Sequence, residues 1–239
     1  MTRLFRISAA IVPLALAGCA GGSFIPDDEQ AGRAQSRAEG APAPKRTAAR
    51  PHSGAAIGNA PFSGDARQCV TDLAAAGVRF TPLPDRYEAG GCSAINSIKV
   101  LDFGTPTTNL AAMTCPLAKT FAGWTRYAVQ PAAEIAFGQK LAKIETMGTY
   151  SCRNIYGGRS GRLSQHAFAN AVDVSAFVLA DGRRVSVRGD WDGDREAQRF
   201  FKLITGSACK RFGTVLTPEY NAAHADHLHL DMSGKGFCK

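Results

Sequence analysis

Six cysteines, Cys69, Cys92, Cys115, Cys152, Cys209 and Cys238, fall between residues 61 and 239 of a chain that opens on an export pattern. The opening, MTRLFRISAAIVPLALAGC, holds Arg3 and Arg6, then an apolar run, then small residues, the order of a secretory signal. The run is too short to persist as a membrane span, which takes roughly 20 apolar residues. An even number of cysteines in an exported chain reads as three disulfides, with the choice among pairings left open. No two of the six show C-x-x-C spacing, which sets aside a cysteine-held zinc site.

Leu16-Ala17-Gly18-Cys19 resembles the bacterial lipobox. The resemblance implies a leader over residues 1–18, cleavage before Cys19 and lipid on its sulfur. Residues 19–60 are rich in Ala, Gly, Pro and Ser, carry charges of both signs and hold few large apolar residues. Such a stretch buries too little surface to offset its chain entropy and reads as a disordered tether. Its root-mean-square reach is about 35–40 Å, from roughly 5–6 Å times the square root of length.

Residues 61–239 remain as one domain with room for a core. The whole chain carries a formal charge of +8, part of it from Arg3 and Arg6 of the leader. The domain is therefore mildly basic, which suits an anionic polymer or membrane surface. Export and the lack of a basic-aromatic motif argue against nucleic acid as a partner.

The domain pattern reads as α+β, an antiparallel sheet with flanking helices, the helices mainly early and the sheet late. DARQCVTDLAAAG predicts a helix stopped at Gly77, and VRFTPL and SAINSIKVLDFG predict strands. TNLAAMTCPLAKTFAGWTRYAV has apolar residues at helical spacing and predicts a long helix with Pro116 near its start, which Pro131 ends or bends. KLAKIETMGTYSCR predicts a strand leading into the Gly- and Arg-rich loop NIYGGRSGRL, and Asp181-Gly182 predicts a hairpin. An amphipathic helix follows, with Asp194 as its N-cap and Gly206 near its end. GTVLTPEY and HLHLDM predict two last strands. DWDGD is read as a solvated turn with a helix cap, since its glycine comes too early for an EF-hand and no Glu closes the loop.

Five histidines occur in the chain; His52 lies in the tether, and His166, His224, His227 and His229 crowd into SQHAFANAVD and HADHLHLD. Segregation of this kind, beside Asp173 and Asp226, points to metal chemistry. A catalytic zinc takes three His or carboxylate ligands and leaves a position for water, whose pKa drops to about 7. His227 and His229 share a face if the segment is a strand. His166 and Asp173, seven apart, share one only if His166 precedes the strand or a turn intervenes.

SQHAFANAVD resembles the S-x-H-x(6)-D element of the zinc D-Ala-D-Ala metallopeptidases, and HLH resembles the H-x-H element of the same superfamily, which includes lysostaphin-type and murein endopeptidases. Over residues 61–239 the chain is more similar to the bacterial extensin-like C-terminal domain family. The resemblance implies a zinc D-Ala-D-Ala peptidase-like fold, of the Hedgehog and D,D-peptidase type. It implies His166, Asp173 and His229 as Zn2+ ligands and His227 as a group that assists the transition state. It sets Arg153 in the place of an arginine that polarises the substrate carbonyl or holds its carboxylate. Ser164 stands two residues before the zinc histidine and would orient it. Carboxypeptidase-type members place an acid three positions before the last zinc histidine, where Asp226 stands; endopeptidase-type members show H-x-x-H-x-H, which His224 also satisfies. The general base stays open between Asp226 and His224.

Two functions follow as expectations. One is a cell-envelope zinc peptidase acting on peptidoglycan stem peptides, lipid-anchored and facing the periplasm. Ala20 after Cys19 would favour the outer membrane in a Gram-negative host. The other is a wall-binding or structural lipoprotein that keeps the metal without turnover.

Overall fold

The computed structural model describes residues 62–239, apart from Arg159, Lys235 and the side chain of Tyr156. The leader, Cys19 and the tether lie outside the described residues. None of the described helices is long and apolar enough to cross a membrane.

Helix α1, Gly64–Ala75, buries Val70 and Leu73 and ends where Gly77 adopts a left-handed φ of 78°, the conformation glycine takes without strain. Strand β1, Arg79–Pro82, follows, then the short pair β2, Arg86–Tyr87, and β3, Ser93–Ala94. Strand β4, Ser97–Asp102, joins β1 on one side and β5, Ala112–Thr114, on the other in a small antiparallel sheet. This early sheet departs from the sequence expectation at one place. SAINSIKVLDFG splits into β3 and β4 across Asn96, whose φ is 50°. AMT is a strand, and the long helix starts at Cys115, with Pro116 near its start as expected.

That helix, α2, Cys115–Trp124, has Pro116 in its first turn, where a missing N–H costs nothing. It runs through a π turn, Thr125–Val129, into α3, Gln130–Phe137. Pro131 neither ends nor interrupts it. Gln130 N–H reaches back five residues to the Thr125 carbonyl, and this wider turn sits where proline's ring would crowd an α-helical one. Gly138, at φ 64°, closes α3.

The main sheet is built by β6, Leu141–Gly148; β7, Ala171–Leu179; β8, Arg184–Ser186; β9, Thr214–Leu216; β10, Leu228–Asp231; and β11, Phe237–Cys238. Its order is β11-β9-β10-β7-β6, with β8 also on β7; only β9 and β11 run parallel. The β7–β8 turn is the Asp181-Gly182 hairpin, with Gly182 at φ 88°. The short helix α4, Val187–Asp190, and α5, Arg195–Ala208, lie between β8 and β9. Asp194 caps α5 by accepting from Ala197 N at 2.8 Å.

Helices α2, α3 and α5 cover one face of this sheet. Trp124 is fully buried there, edge-on to Phe177 and Phe212, and its indole N–H donates to the Ile204 carbonyl. Phe177 also meets Phe200 edge-on, so α5 and β7 interlock. Val172, Val174, Leu228 and Leu230 join the same core. Burial of each such side chain contributes about 1.5–3 kcal/mol. Strand alternation then turns Asp173, His229 and Asp231 to the opposite face.

The six cysteines form three disulfides, Cys69–Cys115, Cys92–Cys152 and Cys209–Cys238. The first ties α1 to α2. The other two tie down the segments on either side of the polar face of β7 and β10.

Candidate metal centre

The site begins as a strand register. In the β7–β10 pair Asp173 stands opposite His229, and Val172 opposite Leu230. Directly opposed side chains of an antiparallel pair share a face. His229 Nδ1 lies 2.8 Å from Asp173 Oδ1.

His166 reaches them from outside the sheet. It lies in a 3₁₀ turn, Gln165–Phe168, that ends at Ala169 in the left-handed region, φ 54°, just before β7. Ser164 caps the turn by accepting from His166 N. His166 Nε2 lies 3.0 Å from Asp173 Oδ2 and 3.2 Å from His229 Nδ1. The three buried side chains thus bring one ligand atom each to a common point.

The far nitrogens of both rings are held by groups that only accept. His166 Nδ1 faces the Thr149 carbonyl at 3.2 Å, so that nitrogen carries a ring hydrogen and Nε2 is the one placed to ligate an ion. His229 Nε2 faces Asp231 Oδ2 at 2.9 Å. Asp231 is buried, and its other oxygen accepts from Ser233 N and Ser233 Oγ, both at 2.7 Å. A histidine whose outer N–H is bound to a carboxylate or carbonyl is the usual arrangement around a metal, because that bond fixes the tautomer and the ring plane.

Size agrees with this. Donors about 2.0–2.2 Å from a tetrahedral zinc ion lie roughly 3.3–3.5 Å apart. The two imidazole nitrogens lie 3.2 Å apart, and Asp173 meets His166 through Oδ2 at 3.0 Å and His229 through Oδ1 at 2.8 Å, so the cluster would open by roughly half an ångström or less per contact around an ion. The residues present fit a metal ion.

The electrostatics also call for positive charge at this point. Burial works against ionised Asp173, but hydrogen bonds and charge from His166 and His229 hold its pKa well below the carboxylate range. Burial likewise opposes a charged His229, yet Asp173 and Asp231 on its two nitrogens push it up to about 9.

Residues 67–239 match the family model described as Extensin-like protein C-terminus. The chain belongs to that family. Searches of curated proteins and of solved structures returned no significant match.

Around the triangle, the extensin-like domain sets its remaining polar groups in a cleft of about 740 Å³, whose walls include Arg153, Ser164, Tyr220, His224, His227 and Phe237. Arg153 Nη2 stands 3.6 Å from Asp173 Oδ2, on the loop anchored by the Cys92–Cys152 bond. His227 precedes β10, with Nε2 3.7 Å from Asp173 Oδ1 and Nδ1 2.8 Å from Asp226 Oδ1. Asp226 occupies the turn before β10, and its carboxylate is spent on His227.

His224 ends a 3₁₀ turn, Ala222–His224, and packs its ring 5.1 Å from that of His227 and 6.0 Å from that of His229. Its Nδ1 faces Asn221 Oδ1 at 2.8 Å; that oxygen also accepts from Ala223 N, so the imidazole nitrogen is the donor. Burial, then the positive fields of His227 and His229, lower its pKa to about 4. It is a neutral wall of the cleft at physiological pH.

Three contributors escaped the sequence reading. Asp231 completes H-x-H-x-D on one strand face, and the period of 2 that pairs His227 with His229 would have extended to it. Asn221 has the helix-capping residue type just before His224, a local signal. Thr149 acts through its carbonyl, and nothing in a side chain announces that. Among the described residues, the triangle is the one cluster of His, Cys, Asp and Glu side chains close enough to hold an ion.

Proposed function

We propose that the extensin-like domain is a zinc peptidase of the cell envelope that hydrolyses peptide bonds in peptidoglycan stem peptides. The observation that carries this reading is the convergence of His166 Nε2, His229 Nδ1 and the Asp173 carboxylate, with both outer ring nitrogens already engaged. Two imidazoles and one carboxylate suit zinc, and three protein ligands leave room for water or substrate. When bound, such an ion supplies a water acidified to near neutral pH and a Lewis acid for a carbonyl oxygen.

The chain's own groups supply the rest. Arg153 offers a planar donor fork beside the triangle, suited to a carbonyl oxygen that gains negative charge, or to a substrate carboxylate. His227 lines the cleft and presents a ring nitrogen for moving a proton from water to the leaving amine, with His224 packed beside it.

The surroundings inferred from the sequence favour a wall substrate. A lipidated Cys19, a tether of some tens of ångströms and a mildly basic domain would hold the site near an anionic polymer at the membrane. Three disulfides suit an oxidising compartment.

The test is digestion of purified muropeptides, linear and crosslinked, by the zinc-loaded protein. Cleavage that stops with a chelator, returns with zinc and is missing in Asp173→Asn is the expected result. One zinc per chain with no cleavage of any stem peptide would overturn the peptidase reading and leave a metal-containing wall-binding protein.

A further inference from the structure

We propose that Asp226 is a positioning residue: it never meets substrate, but fixes His227 so that the ring's Nε2 faces the metal triangle as an acceptor. The chemistry this serves rests on the peptidase reading above, while the arrangement itself stands on geometry alone. It takes Asp226, one of the two candidates for the general base, out of contact with the reacting atoms and gives the acceptor's place to His227.

Asp226 and His227 are neighbours in the turn that leads into β10, and Asp226 Oδ1 lies 2.8 Å from His227 Nδ1. An ionised carboxylate only accepts, so Nδ1 must carry the ring hydrogen. In the neutral ring the other nitrogen then bears the lone pair. That nitrogen is the one on the side of the site, 3.7 Å from Asp173 Oδ1. The imidazole therefore stands between the Asp226 carboxylate and the triangle.

Exposure and lining agree. The Asp226 side chain is 41% exposed and the His227 side chain 12%. His224 and His227 belong to the wall of the cleft, and Asp226 does not. To act on a water beside the triangle, Asp226 would have to leave the bond it makes and pass around a ring braced against His224 at 5.1 Å. A carboxylate on the outer nitrogen and a lone pair on the inner one is the arrangement by which an acid orients an imidazole without touching the substrate. Nε2 can then accept a hydrogen bond from a water or from a substrate N–H next to the three ligands.

The experiment follows the ring directly. Nitrogen-15 NMR of the histidines in the zinc-loaded full chain distinguishes the Nδ1–H from the Nε2–H tautomer. His227 is expected as Nδ1–H in the wild type, and its Nε2–H form is expected to become dominant in Asp226→Ala with zinc stoichiometry unchanged. An unaltered Nδ1–H signal in Asp226→Ala would overturn the proposal.

A double-mutant cycle on muropeptide hydrolysis supplies a second readout. Asp226→Ala is expected to lower kcat roughly tenfold or more with KM within about twofold, since a misplaced proton acceptor impairs the chemical step. In a His227→Ala background the same change is expected to cost less than about twofold, because the residue acts only through that ring. Equal losses in both backgrounds would mean that Asp226 works on substrate directly, against the proposal. If the wild type hydrolyses no muropeptide, the peptidase reading fails and the tautomer measurement still decides the role of Asp226.

Discussion

Asp173 and His229 face each other across the β7–β10 pair, 56 residues apart in sequence and 2.8 Å apart at their side chains. Removal of the carboxylate's charge with little change of shape, as in Asp173→Asn, is expected to abolish metal binding and leave the fold in place. Metal content is expected to fall from near one zinc per chain to below about 0.1, with the far-ultraviolet circular dichroism unchanged. Full zinc occupancy in a folded variant would show that the triangle is not the metal site.

Asp231 tests the support of the ligands. Asp231→Asn keeps the size of the side chain but weakens its hold on His229 Nε2. Loss of such an outer partner typically costs 10–100-fold in affinity, so chelator competition is expected to show a weaker site that still fills at saturating zinc. An unchanged affinity would mean that His229 is oriented by packing alone.

The pH dependence has a definite sign. His229 rises from an ordinary 6.5 to about 9 in the metal-free fold, despite its burial, because Asp173 and Asp231 flank it. The folded state thus binds this proton more tightly than the unfolded chain. That contribution to stability is complete below about pH 6.5 and is lost as pH rises through about 9. Zinc must displace the same proton. The rise in Tm on adding zinc is therefore expected to grow between pH 6.5 and 9, with release of about one proton per zinc at pH 7.5. Calorimetry in buffers of different ionisation enthalpy counts that proton, and a thermal shift independent of pH would contradict the assignment.

Arg153 separates binding from chemistry. Arg153→Ala is expected to keep its zinc and to lower muropeptide hydrolysis by about 10²–10³ in kcat if the guanidinium stabilises the developing oxyanion. A rise in KM with kcat unchanged would assign it to the substrate carboxylate instead. Arg153→Lys is expected to restore little, because a point charge does not reproduce the planar fork.

The disulfides are expected to differ in what they protect. Replacing Cys92 and Cys152 by serine frees the loop that carries Arg153 and lies next to the Thr149 carbonyl behind His166. Loss of a bridge costs roughly 2–5 kcal/mol, and here it is expected to weaken zinc affinity and activity as well. Replacing Cys69 and Cys115 is expected to lower Tm by a similar amount with zinc affinity unchanged, since that bond joins α1 to α2. Equal effects on zinc from both pairs would show that the loop is held by other contacts.

Sequence alone determined the chemistry-bearing residues and much of the local architecture. His166, His224, His227 and His229, with Asp173 and Asp226, stand out by residue type and segregation, the six cysteines by their even number, and α5 and the Asp181-Gly182 hairpin by local periodicity, capping and turn chemistry. These features act over a few residues, so a short stretch of chain is enough to state them. The tertiary structure decided which cysteines pair, that AMT is a strand, and that the chain passes Pro131 through a π turn. It decided, too, that Asp231 and the Thr149 carbonyl hold the outer nitrogens of the two histidines, and that Asp226 stands behind His227. All three placements depend on register and packing around β7 and β10. A slip of one residue in that register would exchange the polar and apolar faces. What holds it is the burial of Val172, Val174, Leu228 and Leu230 against helices supplied from elsewhere in the chain, a long-range cause that no short window of sequence contains.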